Sequence, residues 1–217
     1  MKPQNLEEKV VWYYIIGTLL LYFLGAQYVA APLMAYFLVY RLVRKWWTQT
    51  DETPIEERVR IPVGVWVWMG CISFVAIALV MSHLDFGYGN AQIAKSLVNG
   101  FLRTWALFAV FPLIGCLNIR PQIIYRAICI LCLQCLILVP ITYVLHFAGI
   151  DPVYGMGLLK KIGGNSYNYY QVRLYIGAAD GMRLYLFAPW APALGLVANV
   201  FFWLSTQEAD KRWRFLA

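Results

Sequence analysis

Residues 10–40 read VVWYYIIGTLLLYFLGAQYVAAPLMAYFLVY, and none of these 31 residues is charged. A continuous helix of this length would extend about 46 Å, whereas about 20 residues are enough to cross a hydrocarbon core of about 30 Å. The stretch therefore predicts either one long tilted helix or two shorter ones. The break at residues 25–27 (GAQ) and the proline Pro32 favour two helices, which would cover residues 10–25 and 29–45.

The composition of the whole chain agrees with a lipid environment. Of the 217 residues, 61% are hydrophobic and 13% are charged, and the mean hydropathy is +0.61. Typical globular chains are about 45–50% apolar and about 25% charged. Because a soluble fold of this length could not bury so much apolar surface, the composition excludes a soluble enzyme, a secreted disulfide scaffold and a disordered protein.

Further apolar segments complete the predicted architecture. The sequence predicts an all-α polytopic membrane protein that forms a single transmembrane domain, with a long outer loop that follows the fifth crossing. We count six crossings, or five if residues 10–45 form one helix. The predicted crossings and the loop cover residues 10–25, 29–45, 62–82, 101–118, 127–148 and 186–206, with the loop at 149–185.

Lysine and arginine residues determine the predicted orientation. Cytoplasmic loops of membrane proteins carry an excess of these residues. With six crossings and a cytoplasmic N-terminus, 12 of the 18 basic residues fall inside and 6 outside, whereas five crossings would move Lys2 and Lys9 to the outer side. Both termini are therefore predicted to be cytoplasmic. The net charge of +7 does not indicate nucleic-acid binding, because the basic residues are scattered over short loops.

The predicted loop of residues 149–185 is rich in glycine and tyrosine, and long loops of this kind often carry function. Its segments YQVRLYI and MRLYLF alternate polar and apolar residues on either side of Asp180-Gly181, which predicts a β-hairpin. Alternatively, Arg183 already begins the final helix. A three-residue turn would put Arg173 and Arg183 on one face, whereas a turn of two or four residues would put them on opposite faces.

Arginine and tyrosine side chains on the outer side are the candidate binding residues. The planar guanidinium group suits bidentate binding of phosphate, and an arginine near a membrane is costly unless it is paired or functional. Arg183, Arg173 and Arg103 could therefore hold a diphosphate, while Tyr175 and Tyr185 offer ring faces to attached sugars. The alternative is that these cations extend to lipid headgroups.

The cysteines of the fifth predicted crossing have the spacing of an iron–sulfur motif. Cys129, Cys132 and Cys135 form C-x2-C-x2-C, but the fourth ligand is missing. On a helix these side chains would fan over about 120° instead of converging, so we interpret them as apolar filler. No catalytic triad, metal-ligand spacing or phosphate loop is present, and no metal or cofactor is predicted.

The stretch GMRLYLFAPWAPALG, residues 181–195, resembles a segment of the O-antigen ligase / O-antigen polymerase superfamily. In that family an arginine that closes an outer loop precedes a phenylalanine and an entry to the next helix similar to Pro-Asn-Ala-Leu-Gly. Here residues 192–195 (PALG) take that place, without the asparagine and with Trp190 inserted.

The resemblance implies a membrane component of cell-surface polysaccharide assembly in the plasma (inner) membrane of a bacterium. Such proteins transfer a glycan from a polyprenyl-diphosphate carrier to an acceptor sugar, without metal or nucleotide. The motif carries over Arg183 alone, while Arg173 and Arg103 are proposed from their positions. Since members usually have more crossings, the resemblance implies an amino-terminal half, whether truncated, split or degenerate, and in the split case a second membrane chain would supply the rest. The alternative is a non-catalytic scaffold subunit or a transporter half.

Overall fold

The computed structural model describes residues 2–54, 58–151, 153–155, 170–178 and 181–214. Its contacts divide the chain into two compact units. The first unit comprises Met1–Tyr28 and Arg120–Ala217, and the second comprises Val29–Ile119. The single transmembrane domain remains a prediction.

The described residues are mostly helical. In chain order the helices are α1 (Leu6–Ile16), α2 (Thr18–Phe23), α3 (Gln27–Thr48), α4 (Val63–Asp85), α5 (Asn90–Ser96), the π-helix π1 (Leu97–Trp105), α6 (Ala106–Ile114), α7 (Pro121–Phe147), α8 (Ala191–Thr206) and α9 (Lys211–Arg214). The strands are β1 (Val153–Gly155), β2 (Gln171–Arg173), β3 (Tyr175–Ala178) and β4 (Gly181–Leu184).

Three helices among the described residues are long and apolar enough to cross a membrane. They cover Val63–Asp85, Asn90–Ile114 and Pro121–Phe147, as in a membrane protein. The second of these begins well before the predicted crossing of residues 101–118, because α5, π1 and α6 follow one another without a break. The sequence prediction missed this start because the polar side chains of residues 90–96 (NAQIAKS) lower the local hydropathy. A count of six crossings is not confirmed.

The uncharged stretch at the start of the chain is divided twice. α1 ends before Gly17, where an added Cβ would lie 2.8 Å from the Tyr13 carbonyl oxygen, so only glycine fits. α2 ends before Gly25, which has a φ of 63° that favours glycine. The break at residues 25–27 therefore occurs where it was predicted, while Pro32 lies inside α3.

Antiparallel strands occupy the described part of the predicted outer loop. β1 pairs with β2, and β3 pairs with β4 so that Ala178 lies opposite Gly181. The predicted β-hairpin is present but small, and Asp180 lies outside the described residues. Arg183 belongs to β4, so the alternative in which it begins the final helix is wrong. That helix begins at Ala191, after the extended residue Trp190, and not at residue 186 as predicted.

A buried cluster fixes the strands to the helices of the first unit. It consists of Leu19 from α2, Leu131 from α7, and Leu186 and Phe187, which follow β4. Phe187 also stacks on Phe201 of α8, with ring centroids 6.3 Å apart. Because this aromatic and aliphatic surface is removed from solvent, the two residues after β4 anchor the strand segment (β1–β4) to the helices.

Charged residues gather at the start of α7. The Arg120 Nε and Nη2 atoms lie 2.7 Å and 2.8 Å from the two carboxylate oxygens of Glu8. The Arg126 Nη2 atom lies 2.8 Å from Glu208 Oε1. We call Glu8, Arg120, Arg126 and Glu208 the charged end. Tyr175 of the strand segment contacts His146 and Ile150 at the other end of this helix of about 40 Å, while the buried cluster around Leu131 lies between the two ends.

Candidate functional site

The hydroxyl of Tyr22 holds the main chain of Arg173. It donates a hydrogen bond to the Arg173 carbonyl oxygen at 2.7 Å and accepts one from the Arg173 N–H at 2.8 Å. One hydroxyl can do both because it carries a donor and two acceptor lone pairs. Strand β2 is thereby fixed to the last turn of α2. The Tyr22 hydroxyl serves as the hydrogen-bond partner of both the N–H and the carbonyl oxygen of Arg173.

Two further tyrosines satisfy carbonyl oxygens at helix ends. Tyr154 donates its hydroxyl to the Phe23 carbonyl at 2.7 Å, and Tyr175 donates to the Ile150 carbonyl just beyond α7. The last carbonyls of a helix have no partner within the helix, so the bond from Tyr154 completes the carbonyl at the end of α2. The Tyr175 ring packs edge-on against His146, with centroids 5.3 Å apart. Burial raises the pKa of Tyr175, and the nearby Asp151 carboxylate raises it further.

Arg173 offers an unsatisfied donor at this site. Its side chain is half-buried, and its Nε atom is buried without a hydrogen-bond partner among the described residues. Burying the donor of a charged group without an acceptor is costly. An anion beside Arg173 would provide acceptor oxygens for the guanidinium group, whose fork geometry suits phosphate.

The other predicted residues of the strand segment have different environments. Arg183 is exposed and lies opposite Ile176 on the β3–β4 ladder, whereas Arg173 lies opposite Val153 on the β1–β2 ladder. The pairing of Ala178 with Gly181 leaves two residues between β3 and β4, which is one of the predicted spacings. This spacing alone does not relate the two arginines, because the chain bends at Leu174 between β2 and β3.

Tyr175 and Tyr185 differ in exposure and in the atoms through which they form hydrogen bonds. Tyr175 is 4% exposed and its hydroxyl is donated to a carbonyl, so its ring face is covered. Tyr185 is half-buried, and its backbone N–H donates to the Leu174 carbonyl at 2.9 Å. Of the two predicted sugar-contacting rings, Tyr185 is therefore the more accessible.

Arg103 lies in the second unit, within π1. The sequence placed this residue at the mouth of a crossing, but the helix begins at Asn90, so Arg103 lies in the middle of the apolar segment Asn90–Ile114. A π-helix widens the helical turn and is frequent at functional sites, and a half-buried arginine at such a depth is itself a functional candidate.

Tyr22 was not among the residues singled out from the sequence. One feature of the sequence could have indicated it: Tyr22 lies near the end of the first predicted crossing, where the polar hydroxyl of a tyrosine can find a partner outside the apolar segment. What the sequence did not contain was its partner, because Arg173 lies 151 residues further along the chain. Residues 156–169 of the predicted loop lie outside the described residues.

The described residues contain no group of three His, Cys, Asp or Glu side chains placed to hold a metal ion. Cys129 is buried, and Cys132 and Cys135 are half-buried along α7 as free thiols. Cys135 packs against the buried cluster of the first unit.

Comparisons of the chain with protein-family profiles, with curated proteins and with solved structures find no match. The resemblance of residues 181–195 to the O-antigen ligase / O-antigen polymerase superfamily remains a prediction. In the structure this stretch runs from strand β4, which carries Arg183, to Pro192 at the start of α8.

Proposed function

We propose that this chain is a membrane component of cell-surface polysaccharide assembly and that its strand segment binds a polyprenyl-diphosphate-linked glycan. The proposal depends chiefly on Arg173, whose buried Nε atom has no hydrogen-bond partner among the described residues. The Tyr22 hydroxyl binds both the N–H and the carbonyl oxygen of the same residue. A diphosphate has paired acceptor oxygens, which a guanidinium group binds more strongly and more specifically than a neutral donor does.

The proposed topology has six crossings, with both termini cytoplasmic in the plasma membrane of a bacterium. Three further segments would complete the count: α1 with α2 extends about 27 Å, α3 about 33 Å and α8 about 24 Å. The basic residues Arg41, Arg44 and Lys45 lie near the end of α3, where the proposal places the cytoplasm. The separation of the charged end from the strand segment along α7 also supports this orientation.

Thiol labelling in intact cells tests the orientation. In a variant without the native cysteines, Gly177→Cys is expected to react with a membrane-impermeant maleimide from outside, whereas Lys211→Cys should react only after permeabilisation. Both positions are exposed, and a Cβ at Gly177 has nothing within 4 Å, so neither change disturbs packing. Labelling of Gly177→Cys only after permeabilisation would place the strand segment in the cytoplasm and contradict the proposal.

Lipid binding by the purified protein tests the ligand class. We expect a polyprenyl diphosphate to bind at least about tenfold more tightly than the polyprenyl alcohol of the same length, because only the former can accept charge-assisted hydrogen bonds. Quenching of tryptophan fluorescence in nanodiscs would report binding, with the polyprenyl monophosphate as the intermediate case. Equal affinity for the diphosphate and the alcohol would show that the protein recognises only the hydrocarbon chain.

A further inference from the structure

Three acidic side chains at the charged end are hidden from solvent, whereas Asp210 is 44% exposed and lies 3.7 Å from the Arg126 guanidinium. Glu7, Glu8 and Glu208 are 2%, 1% and 4% exposed. Glu8 is held by Arg120, whose hydrogen bonds lower the pKa of this carboxyl to about 2. Glu208 accepts from Arg126, which also lowers its pKa below the ordinary value. Both carboxylates therefore stay ionised, but their charges are directed inward to arginines.

Basic side chains at the same end are directed outward. Lys2, Lys9, Lys211 and Arg212 are exposed. Lys2 belongs to this end because the Arg120 Nη2 atom donates to its carbonyl oxygen at 3.1 Å. We call these four residues the basic face. Burial thus sorts the charges, so that the exposed surface is more positive than the sequence of this end suggests.

The part of the basic face on α9 is held firmly in place. The Arg126 guanidinium lies over the Trp213 ring, 4.9 Å from its centroid. The Nε and Nη2 atoms of Arg214 donate to the Glu208 carbonyl at 3.1 Å and 2.8 Å. These contacts fix α9 against the start of α7 and leave the side chains of Lys211 and Arg212 at the surface.

We propose that the basic face binds anionic phospholipid headgroups of the membrane that α7 crosses. The face lies beside the start of this apolar helix, and the end of a membrane-crossing helix is where headgroup phosphates would be within reach. Basic residues close to an anionic leaflet are each attracted to it, and a tryptophan such as Trp213 is typical of the membrane interface. This surface is at the opposite end of α7 from the strand segment, so it is independent of the proposed glycan site.

Lipid selectivity of the full chain in vesicles tests the inference. With spin-labelled phosphatidylglycerol and phosphatidylcholine as probes, electron paramagnetic resonance gives the relative association of each lipid with the protein. We expect the wild type to prefer phosphatidylglycerol, and Lys211→Gln with Arg212→Gln to reduce that preference at least about threefold. The matched control, Lys211→Arg with Arg212→Lys, keeps both charges and should keep the preference.

Two results would overturn the inference. One is an unchanged preference in the neutral variant, and the other is an equal loss in the charge-conserving control. A salt titration of the wild type provides a second measurement that needs no variant. The preference should shrink as ionic strength rises, because salt screens exposed charges, and a preference that does not respond to salt would also contradict the proposal.

Discussion

Arg173→Lys is expected to weaken the binding of a polyprenyl diphosphate about 10- to 100-fold, although the charge is kept. Lysine is a point charge without the fork of donors that matches phosphate, and it removes the buried Nε atom that has no partner among the described residues. Tryptophan fluorescence titration of the purified variant measures this loss. In cells, output of surface glycan should fall while the amount of protein in the membrane stays normal.

The matched control for this substitution is Arg58→Lys. Arg58 lies in the second unit, and two of its nitrogen atoms already donate: its Nε atom to the Thr53 carbonyl at 2.9 Å and its Nη2 atom to the Asp51 carbonyl. Diphosphate binding should therefore not change in this variant. Tyr22→Phe should give an intermediate loss, because it removes the hydroxyl that positions the Arg173 backbone. Unaltered affinity in Arg173→Lys would refute the assignment of this residue.

Glu8→Gln is expected to lower the apparent melting temperature by about 3–8 °C at neutral pH. The Glu8 carboxylate accepts from the Nε and Nη2 atoms of Arg120 and from the Gln4 N–H at 2.8 Å. An amide at this position carries no charge and presents one acceptor oxygen instead of two. Scanning fluorimetry in detergent measures the shift, and the exposed residue Glu52 offers a control in Glu52→Gln.

The acid sensitivity of the protein should change in the same variant. The hydrogen bonds from Arg120 hold the pKa of Glu8 at about 2 in the folded state, below the ordinary value of 4.5. Because the unfolded chain takes up this proton more readily, the stabilisation is complete above about pH 4.5 and is lost as the pH falls towards about 2. The melting temperature of Glu8→Gln should therefore fall less than that of the wild type when the pH is lowered from about 4.5 to about 2. If the melting temperatures of the wild type and of Glu8→Gln fell equally with pH, the stabilising role of the Glu8–Arg120 pair would be contradicted.

Local sequence patterns were sufficient to predict the helices and the hairpin whose formation depends on residues close together in the chain. Apolar runs located the helices at Val63–Asp85 and Pro121–Phe147, because hydropathy over about 20 residues is a local property. The small hairpin of β3 and β4 also followed from alternation around a turn sequence. The same patterns misplaced the starts of three helices. Polar and charged side chains hid the starts at Asn90 and at Pro121, which was predicted at residue 127, and a non-helical segment delays the start at Ala191.

Contacts between residues far apart in the sequence could not be predicted from such patterns. Composition and periodicity established the apolar, helical character of the chain and the position of the hairpin β3–β4, but not strand β1 or its pairing with β2. The fold added the pairing of Glu8 with Arg120, 112 residues apart, and of Tyr22 with Arg173, 151 residues apart. Which charges are hidden and which donors stay unsatisfied depends on these pairs, because burial is a property of packing and not of any single segment.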